Sequence, residues 1–380
     1  MTYVVWISLF LIFYTLFGHT MVIYALGCLR NKKTLKRNIY PRIAFLIAAY
    51  NEEKDIAEKI ENTLRLDYPK NKLRIIVVSD GSTDRTDEIV HAYHNLGVEL
   101  FRVEGRVGKT EARNQAIAKC SEDILVFSDG TTEFDERAVK MLLRNFSDPE
   151  VGYVSGRLIY KDRGQGAIST STKLYWAYEC LMKRSQTKLS TLTGSVGCIS
   201  ACRRKFYKHL PANIIEDLVA PLMFIQQGLR IVFEEEAIAY ERTTQHIQQE
   251  FSMRVRVIRG GMTGLLFARQ VLNPFKYPLV SFQLFGHKIL RWLIPFFALS
   301  TFISSGIVSS LGEGGPYTYL FLLQVLFYVM AICGFYRHRI GKEKTLFKIP
   351  FFFCLANSCA LTAFYKTMTG HLESTWESKY

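Results

Sequence analysis

Several signatures of common protein classes are missing from this sequence. The eight cysteines have no paired spacing of the zinc or disulfide kind, and Cys198 and Cys202 lie four apart without matching Cys or His partners. They therefore predict free thiols in a reducing compartment. No recognisable nucleic-acid module accompanies the formal net charge of +14, so we expect phosphorylated ligands or anionic lipid as partners, and no nucleic acid.

Charged residues are scarce at the start of the 380-residue chain. Tyr3 to Leu29 is almost wholly apolar and is long enough to span a bilayer. It is too long for a cleaved signal peptide and lacks the basic start of one. A basic cluster follows between Arg30 and Arg37. By the positive-inside rule, the N-terminus faces out and the following residues lie in the cytosol.

Apolar residues again dominate the last quarter of the chain. Phe275 to Trp292 mixes apolar and basic residues, which predicts an interfacial helix, and residues 293–311 and 317–336 are long enough to span. Phe347 to Tyr365 is either a further span or a re-entrant segment. We therefore predict a multi-pass protein of the plasma (inner) membrane with a cytosolic catalytic domain. The predicted units are residues 1–30, 38–270, 275–292 and 293–370, the last with two or three helices.

The middle of the chain alternates short β-favouring runs with segments of helical spacing. Apolar strands are predicted over 42–49, 73–79 and 98–103, and a fourth ends at Asp129. Strands that alternate with helices indicate an α/β fold with a parallel, doubly wound sheet. Right-handed crossovers would place all these strand ends along one edge, where such sheets bind ligands.

Polar residues stand at the predicted strand ends. Asn51 and Glu52 follow the first strand, Asp80 the second and Asp129 the fourth. A carboxylate there can bind Mg²⁺ or Mn²⁺, which would neutralise a phosphate. The plain alternative for Asp129 is a cap on the helix predicted over 136–146. Carboxylates for a metal, together with cations such as Lys109, predict a nucleotide-diphosphate site.

These motifs, in this order, resemble the membrane-bound family 2 glycosyltransferases, which include hyaluronan, chitin, poly-N-acetylglucosamine and cellulose synthases. The resemblance runs from Arg42 to Trp292 and includes the segment Gly286-His287-Lys288-Ile289-Leu290-Arg291-Trp292. It implies a cytosolic GT-A domain, which is Rossmann-like with a mostly parallel sheet, and transmembrane helices at both ends. The implied activity is inverting transfer from a nucleotide-diphosphate sugar, UDP-linked, to a growing polysaccharide or a lipid-linked acceptor. Polysaccharide biosynthesis at the cell surface is the implied role.

The resemblance also implies a set of donor-binding residues. Tyr50 would lie near the base, Asp80 would contact the ring nitrogen of the base, and Asp129 occupies the first position of the Asp-x-Asp metal motif. Thr131 stands at the last position of that motif, where a hydroxyl is a weaker ligand for Mg²⁺ or Mn²⁺ than a carboxylate. The implied donor-site residues are Ala49, Tyr50, Glu52, Asp80, Gly81, Lys109, Asp129, Arg256 and Arg259.

Arg256 and Arg259 stand where processive synthases carry a Gln-x-x-Arg-Trp motif. Arginines can hold a diphosphate by forked hydrogen bonds, and contact with lipid headgroups is the alternative. The tryptophan of the motif is absent, since Val257 follows Arg256. Its absence weakens the expectation of a processive enzyme.

The acceptor side of the site is implied by two further motifs. Thr193, Gly194 and Ser195 resemble the loop that lines the acceptor site. Glu216-Asp217 resembles the catalytic pair in which the aspartate is the general base. The alternative for Asp217 is a helix-start carboxylate that the helix dipole stabilises.

Other functions stay open from the sequence alone. A non-processive transferase would add one sugar to a lipid-linked acceptor, and a non-catalytic scaffold would bind nucleotide at the membrane without chemistry. Nucleotidyl transfer on a similar sheet gives no reason for Glu216-Asp217. Partner chains are possible, because three C-terminal helices are few for threading a polymer.

Overall fold

The computed structural model describes residues 1–161, 167–242, 247–311, 315–340 and 344–370, with side-chain detail from 176 onward in the helix that begins at Ala167. Eight strands and seven helices of the described chain form its central part. The strands are β1 Ile43–Ala49, β2 Leu73–Ser79, β3 Val98–Arg102, β4 Ile124–Asp129, β5 Glu133–Phe134, β6 Val151–Lys161, β7 Ile199–Arg203 and β8 Arg230–Arg242. The helices are α2 Ile56–Leu64, α3 Thr86–Ala92, α4 Lys109–Ala118, α5 Ala138–Leu143, α6 Ala167–Leu189, α7 Glu216–Gln226 and α8 Ile247–Phe267.

All eight strands join in one sheet of order β3-β2-β1-β4-β7-β6-β8-β5. Strands β3, β2, β1 and β4 are mutually parallel, as the alternation of strands and helices predicted. β7 is antiparallel to both β4 and β6, and β8 is parallel to β6. The sheet is therefore mixed but mostly parallel.

Helices cover both faces of this sheet. In β1 the alternate residues Ile43, Phe45 and Ile47 pack with α2 and α5 on one face. Ala44 and Leu46 point to the other face, where they pack with α4 and α7. Because β1 is buried on both faces, it reads as a continuous apolar run, as central parallel strands do.

Four helices are long and apolar enough to cross a membrane. They are α1 Thr2–Arg30, α9 Pro278–Ser310, α10 Pro316–Arg339 and α11 Thr345–Met368. The segment predicted as an interfacial helix (275–292) is continuous with the following span in α9. A π-helical turn interrupts α1 at Tyr14–Gly18, and another interrupts α9 at Phe285–Ile289.

The membrane helices pack against one another and against the central part of the chain. α1 contacts α9 through the hydroxyls of Ser8 and Ser300, 3.3 Å apart. Further along α1, Gly27 lies against the carbonyl of Ser185 in α6, where a Cβ would approach to 2.7 Å. At the other end of the chain, α11 packs on α8 through a small cluster that includes Val255 and Cys359. The sheet is thus held close to the membrane helices by α6 and α8.

Candidate active site

The carboxyl ends of three parallel strands place the predicted donor residues side by side. Ala49 pairs with Ser79 across β1 and β2, and Ala48 pairs with Asp129 across β1 and β4. The loops after β1 and β2 are also tied together, because Asn51 Oδ1 accepts a 2.8 Å hydrogen bond from the backbone N–H of Thr83. These contacts form a continuous edge that carries Tyr50, Glu52, Asp80, Gly81 and Asp129.

Asp80 anchors the loop that leads into α4. Its carboxylate accepts hydrogen bonds from the backbone N–H groups of Val107, at 2.8 Å, and Gly108, at 3.0 Å. Burial raises the pKa of Asp80, and these hydrogen bonds together with nearby Arg106 oppose the rise. Arg106 lies over the Tyr50 ring, 4.0 Å from its centroid. Of the two predicted base-binding residues, Asp80 therefore holds the loop before α4, and Tyr50 has the guanidinium of Arg106 on the face of its ring.

Two cations contact Asp129. The Lys109 ammonium lies 2.6 Å and the Arg113 guanidinium 3.1 Å from its Oδ1 atom. Arg113 is fully buried and also donates a 2.9 Å hydrogen bond to Glu216 Oε2. Despite that burial, the carboxylates of Glu216 and Asp129 raise the pKa of Arg113. The side chain of Asp129 thus points toward α4 and α7 and does not cap the helix after it, which begins beyond Arg137.

Asp217 lies in the first turn of α7 beside the loop predicted to contact the acceptor. Its backbone carbonyl accepts two hydrogen bonds from Ser195, one from the N–H and one from the hydroxyl, both 2.8 Å. The carboxylate lies against Gly197, where a Cβ would come within 1.9 Å of Oδ1. Burial raises the pKa of Asp217, and the Lys109 charge counteracts part of that rise. The carboxylate is therefore more basic than that of an exposed aspartate. A side chain larger than that of glycine at position 197 would clash with it.

Glu216, the other member of the pair, points into the protein. It is buried, and its second oxygen accepts a 3.3 Å hydrogen bond from the Tyr207 hydroxyl. Thr193 is also buried, with its N–H and hydroxyl directed at Gln186 of α6. Gly194 faces α7, and a Cβ placed at Gly194 would lie 3.7 Å from the Leu218 side chain.

Helix α8 brings its arginines to α7 by close packing of glycines. A Cβ at Gly260 would lie 2.4 Å from Ile215, and one at Gly264 would lie 2.5 Å from Val219. Arg256 is one turn before Gly260. Loss of solvation lowers the pKa of Arg256, while the nearby carboxylates of Asp217 and Asp129 act in the opposite direction. Arg256 is therefore close to both carboxylates, and Arg259 follows three residues later on the same helix.

The predicted metal motif offers a divalent cation the oxygen atoms of Asp129 and Thr131. Within the described ranges, no three His, Cys, Asp or Glu side chains are grouped to hold a metal ion. A hard cation prefers about six oxygen ligands. The residues present fit Mg²⁺ or Mn²⁺ only if phosphate oxygens of a donor supply most of the remaining ligands.

Two important residues of the site were not predicted from the sequence. Arg113 reads as an ordinary helical arginine, and its partner Glu216 lies 103 residues away in sequence. Gly197 lies two residues beyond the predicted acceptor loop and leaves room for the carboxylate of Asp217. The adjacency of Gly197 to the acceptor loop was the one available signal.

Residues 44–210 match the family described as Glycosyl transferase family 2. The chain carries a family 2 glycosyltransferase domain. This match contains Asp80, Lys109 and Asp129, and the predicted acceptor loop, whereas Glu216-Asp217 and the α8 arginines follow it.

Curated relatives match a longer part of the chain. It is 30% identical over 234 residues to the poly-β-1,6-N-acetyl-D-glucosamine synthase of Staphylococcus aureus strain COL, a stretch that covers 59% of this chain and 55% of that protein. The enzyme of the same name from Staphylococcus epidermidis is 27% identical over 234 residues, which again cover 59% of this chain and 55% of that protein. The chain thus spans about half the length of the curated relatives it matches.

A solved structure matches the whole architecture. It is a mannosyltransferase from Pyrobaculum calidifontis in complex with GDP-Man and Mn²⁺, with a TM-score of 0.73 and 17% identity. The match covers 97% of this chain and 99% of that one. The family 2 domain described above therefore has the predicted GT-A fold, and the helices at both ends belong to the shared arrangement.

Proposed function

We propose that this protein is a membrane-integrated, inverting glycosyltransferase that uses a nucleotide-diphosphate sugar, UDP-linked. The acceptor lies at the bilayer, and the product belongs to cell-surface polysaccharide or glycolipid synthesis. The observation that carries the proposal is the convergence of Asp129, Asp217, Lys109 and Arg256 at the carboxyl edge of the sheet.

Asp217 is the general base of this proposal. A base must remove the acceptor proton as the hydroxyl attacks the anomeric carbon from the side opposite the leaving diphosphate. The raised pKa of Asp217 makes it a better proton acceptor at neutral pH than a solvated aspartate. Ser195 holds the backbone of Asp217, and Gly197 leaves room for its carboxylate.

Lys109, Arg256 and Arg259 are proposed to stabilise the diphosphate that leaves. Charge develops on that group in the transition state, and fixed cations in a poorly solvated site stabilise it there. When bound at Asp129, Mg²⁺ or Mn²⁺ would add Lewis-acid stabilisation of the same phosphates. The Mn²⁺ in the Pyrobaculum structure is a reason to test that ion first.

Glu216 is proposed to act through Arg113. The buried guanidinium bridges Glu216 and Asp129, so it connects α7, which carries the base, to the end of β4, which carries the metal-motif aspartate. Such a bridge fixes the distance between base and donor. Glu216 is therefore a positioning residue in this proposal.

The test uses purified protein in detergent with a panel of radiolabelled nucleotide sugars, starting from UDP-N-acetylglucosamine because of the name that the staphylococcal relatives carry. We expect release of nucleoside diphosphate with one donor, loss of turnover in a chelator, and a product of inverted anomeric configuration. Sizing the product separates a polymerase, which gives a ladder, from a transferase that adds one sugar. Donor binding without turnover under every condition would instead favour a non-catalytic scaffold.

A further inference from the structure

A second polar cluster lies between the catalytic part and the membrane helices. Its centre is Glu179 of α6, which is buried and accepts a 2.8 Å hydrogen bond from Arg291. His287 Nε2 lies 3.4 Å from the same carboxylate oxygen. Arg291 also donates to the Tyr178 hydroxyl at 3.3 Å, and that hydroxyl lies 2.6 Å from Thr20 of α1. The cluster therefore joins the membrane helices α1 and α9 to α6.

Cations in this cluster outnumber the carboxylate. Lys183 follows Glu179 by one helical turn, and Lys288 precedes Arg291 by one turn, so both can face the same space. Lys288 lies within electrostatic range of Glu179, Lys183 and Arg291. Within the described residues, neither lysine forms a hydrogen bond or ion pair. The single carboxylate of Glu179, which already accepts a hydrogen bond from Arg291, is thus surrounded by three cations: Lys183, Lys288 and Arg291.

Several buried polar side-chain atoms lie in or beside this cluster without hydrogen-bond partners among the described residues. Lys183 is 9% exposed, and its ammonium lies 5.1 Å from the centroid of the Trp176 ring and 5.8 Å from that of the Phe233 ring. His19 is 1% exposed, and neither of its ring nitrogens has a partner among the residues that the structure describes. The Nδ1 atom of His287 is likewise unpaired there. Unpaired buried polar groups are costly, so several of them together point to a site for a polar ligand.

The backbone of both membrane helices is adapted to this contact. His19 follows the π-helical turn of α1, and its ring lies against Gly286, where a Cβ would approach Nδ1 to 2.1 Å. Gly286 and His287 lie within the π-helical turn of α9. Such turns are rare and often occur at functional sites. They bring His19 and His287 to one junction.

The cluster is connected to the candidate base. Lys183 is one turn from Gln186, whose side-chain oxygen accepts from Thr193 of the predicted acceptor loop. Burial lowers the pKa of Lys183, and Asp217 is among the charges close enough to counteract part of that change. A ligand bound by Lys183 would therefore lie on the acceptor side of Asp217.

We propose that Lys183, Lys288 and Arg291, together with His19 and His287, bind the phosphate group of a lipid. Ammonium and guanidinium groups beside membrane helices suit a phosphate, and an excess of cations does not suit a neutral glycan. The lipid is either a bilayer lipid that holds its headgroup beside the acceptor, or the acceptor itself. In the second case a phosphate oxygen forms the bond to the anomeric carbon, the bond from that carbon to the nucleoside diphosphate breaks, and Asp217 accepts the remaining phosphate proton. The acceptor assignment rests on the proposed function, whereas phosphate binding does not.

The test uses the full-length protein in nanodiscs of phosphatidylcholine. Binding of a ten-carbon isoprenyl monophosphate is compared with that of the matching alcohol, in the wild type and in Lys183→Gln, Lys288→Gln and Lys276→Gln. Lys276 is an exposed lysine near the start of α9 and serves as the matched control. We expect the phosphate to bind at least about tenfold more tightly than the alcohol, and each cluster variant to lose about tenfold, with the control unchanged.

Two further arms identify the source of the phosphate. Labelled sugar recovered on the isoprenyl phosphate, with a KM for it raised in Lys288→Gln, identifies an acceptor. Competition by phosphatidylglycerol without such a product identifies a bilayer headgroup. If Lys183→Gln does not fold, Lys288→Gln, whose side chain is half-buried, decides the outcome.

Failure of this inference is separable from failure of the proposed function. Equal binding of phosphate and alcohol, or cluster variants that bind like the wild type, would overturn the lipid-phosphate site even if the donor is turned over. Phosphate binding that depends on the lysines, with no turnover of any donor, would overturn the transferase proposal and leave this site in place.

Discussion

At the scale of single residues, Arg113 organises the candidate site although it was not among the predicted residues. It bridges Asp129 at the end of β4 and Glu216 at the start of α7. A buried guanidinium needs carboxylate partners, and removing one partner of such a pair typically costs about 3–5 kcal/mol. The catalytic residues therefore depend on a structural cation for their relative positions.

Gly197→Ala tests whether the position of the Asp217 carboxylate matters. A methyl group would come within 1.9 Å of Oδ1, so the carboxylate must move. We expect kcat to fall by about 100-fold, since a misplacement of about 1 Å can cost that much, with donor KM nearly unchanged. Steady-state kinetics on the purified variant measure both.

Gly194→Ala is the comparison for that variant. A Cβ at Gly194 meets its nearest neighbour at 3.7 Å, which is ordinary van der Waals contact. We expect a much smaller loss of kcat than in Gly197→Ala. Equal losses in the two variants would mean that the loop, and not the carboxylate position, limits the rate.

At the scale of elements, helix α2 buries an unusual residue on the sheet. Lys59 is 3% exposed, and its ammonium has no hydrogen-bond partner among the described residues. The ammonium lies 4.4 Å from the centroid of the Phe134 ring and 5.2 Å from that of Phe45. Burial lowers the pKa of Lys59 from 10.5 to about 7, with Asp129 among the charges that counteract the change.

Lys59→Met should therefore stabilise the protein in a pH-dependent way. The unfolded chain keeps Lys59 protonated up to about pH 10.5, whereas the folded chain releases that proton near pH 7. The wild type consequently loses stability as the pH falls from 10.5 toward 7, and the loss is complete below that. We expect the variant to gain up to about 4 kcal/mol at pH 7 and almost nothing at pH 10.5.

Denaturant unfolding in detergent at several pH values measures this gain. Lys54→Met, on the exposed residue just before α2, is the control and should show no such pH-dependent gain. A gain in Lys59→Met that is the same at every pH would contradict the lowered pKa.

The elements differ in how well the sequence predicted them. β1, β2 and β4 were predicted because strands buried on both faces leave long apolar runs that end in polar residues. β7 was missed because Ile199 to Arg203 is short and mixes Ser, Ala and Cys, and only its pairing with β4 and β6 makes it a strand. β5 has two residues and no periodicity to detect. Contacts distant in sequence, such as Arg113 with Glu216, leave no local pattern.

At the scale of the whole molecule, use of a cytosolic nucleotide sugar requires one orientation of the protein in the membrane. The N-terminal turn of α1 and the start of α10 lie on the same side, because Trp6 Nε1 donates a 3.3 Å hydrogen bond to the Tyr317 hydroxyl. Lys32, just after α1, donates its backbone N–H to the carbonyl of Lys188 in the catalytic part. Residues 2 and 317 should then face away from the cytosol, and residue 32 toward it.

Cysteine labelling tests this orientation. In a cysteine-free background, a membrane-impermeant thiol reagent should label Thr2→Cys and Tyr317→Cys on intact cells. Lys32→Cys should react only after the cells are permeabilised. The reverse pattern would put the candidate site outside, where cytosolic nucleotide sugars could not reach it.

Asp217→Asn, assayed for sugar transfer with the donor found in the panel, tests the central claim most directly. Because burial raises the pKa of Asp217 in the folded chain, its ionised form costs stability at neutral pH, so the neutral asparagine should leave Tm unchanged or raised. The account predicts a folded protein that still binds donor and has lost at least about 100-fold in kcat for transfer. A folded Asp217→Asn variant that transfers sugar at the wild-type rate would contradict it.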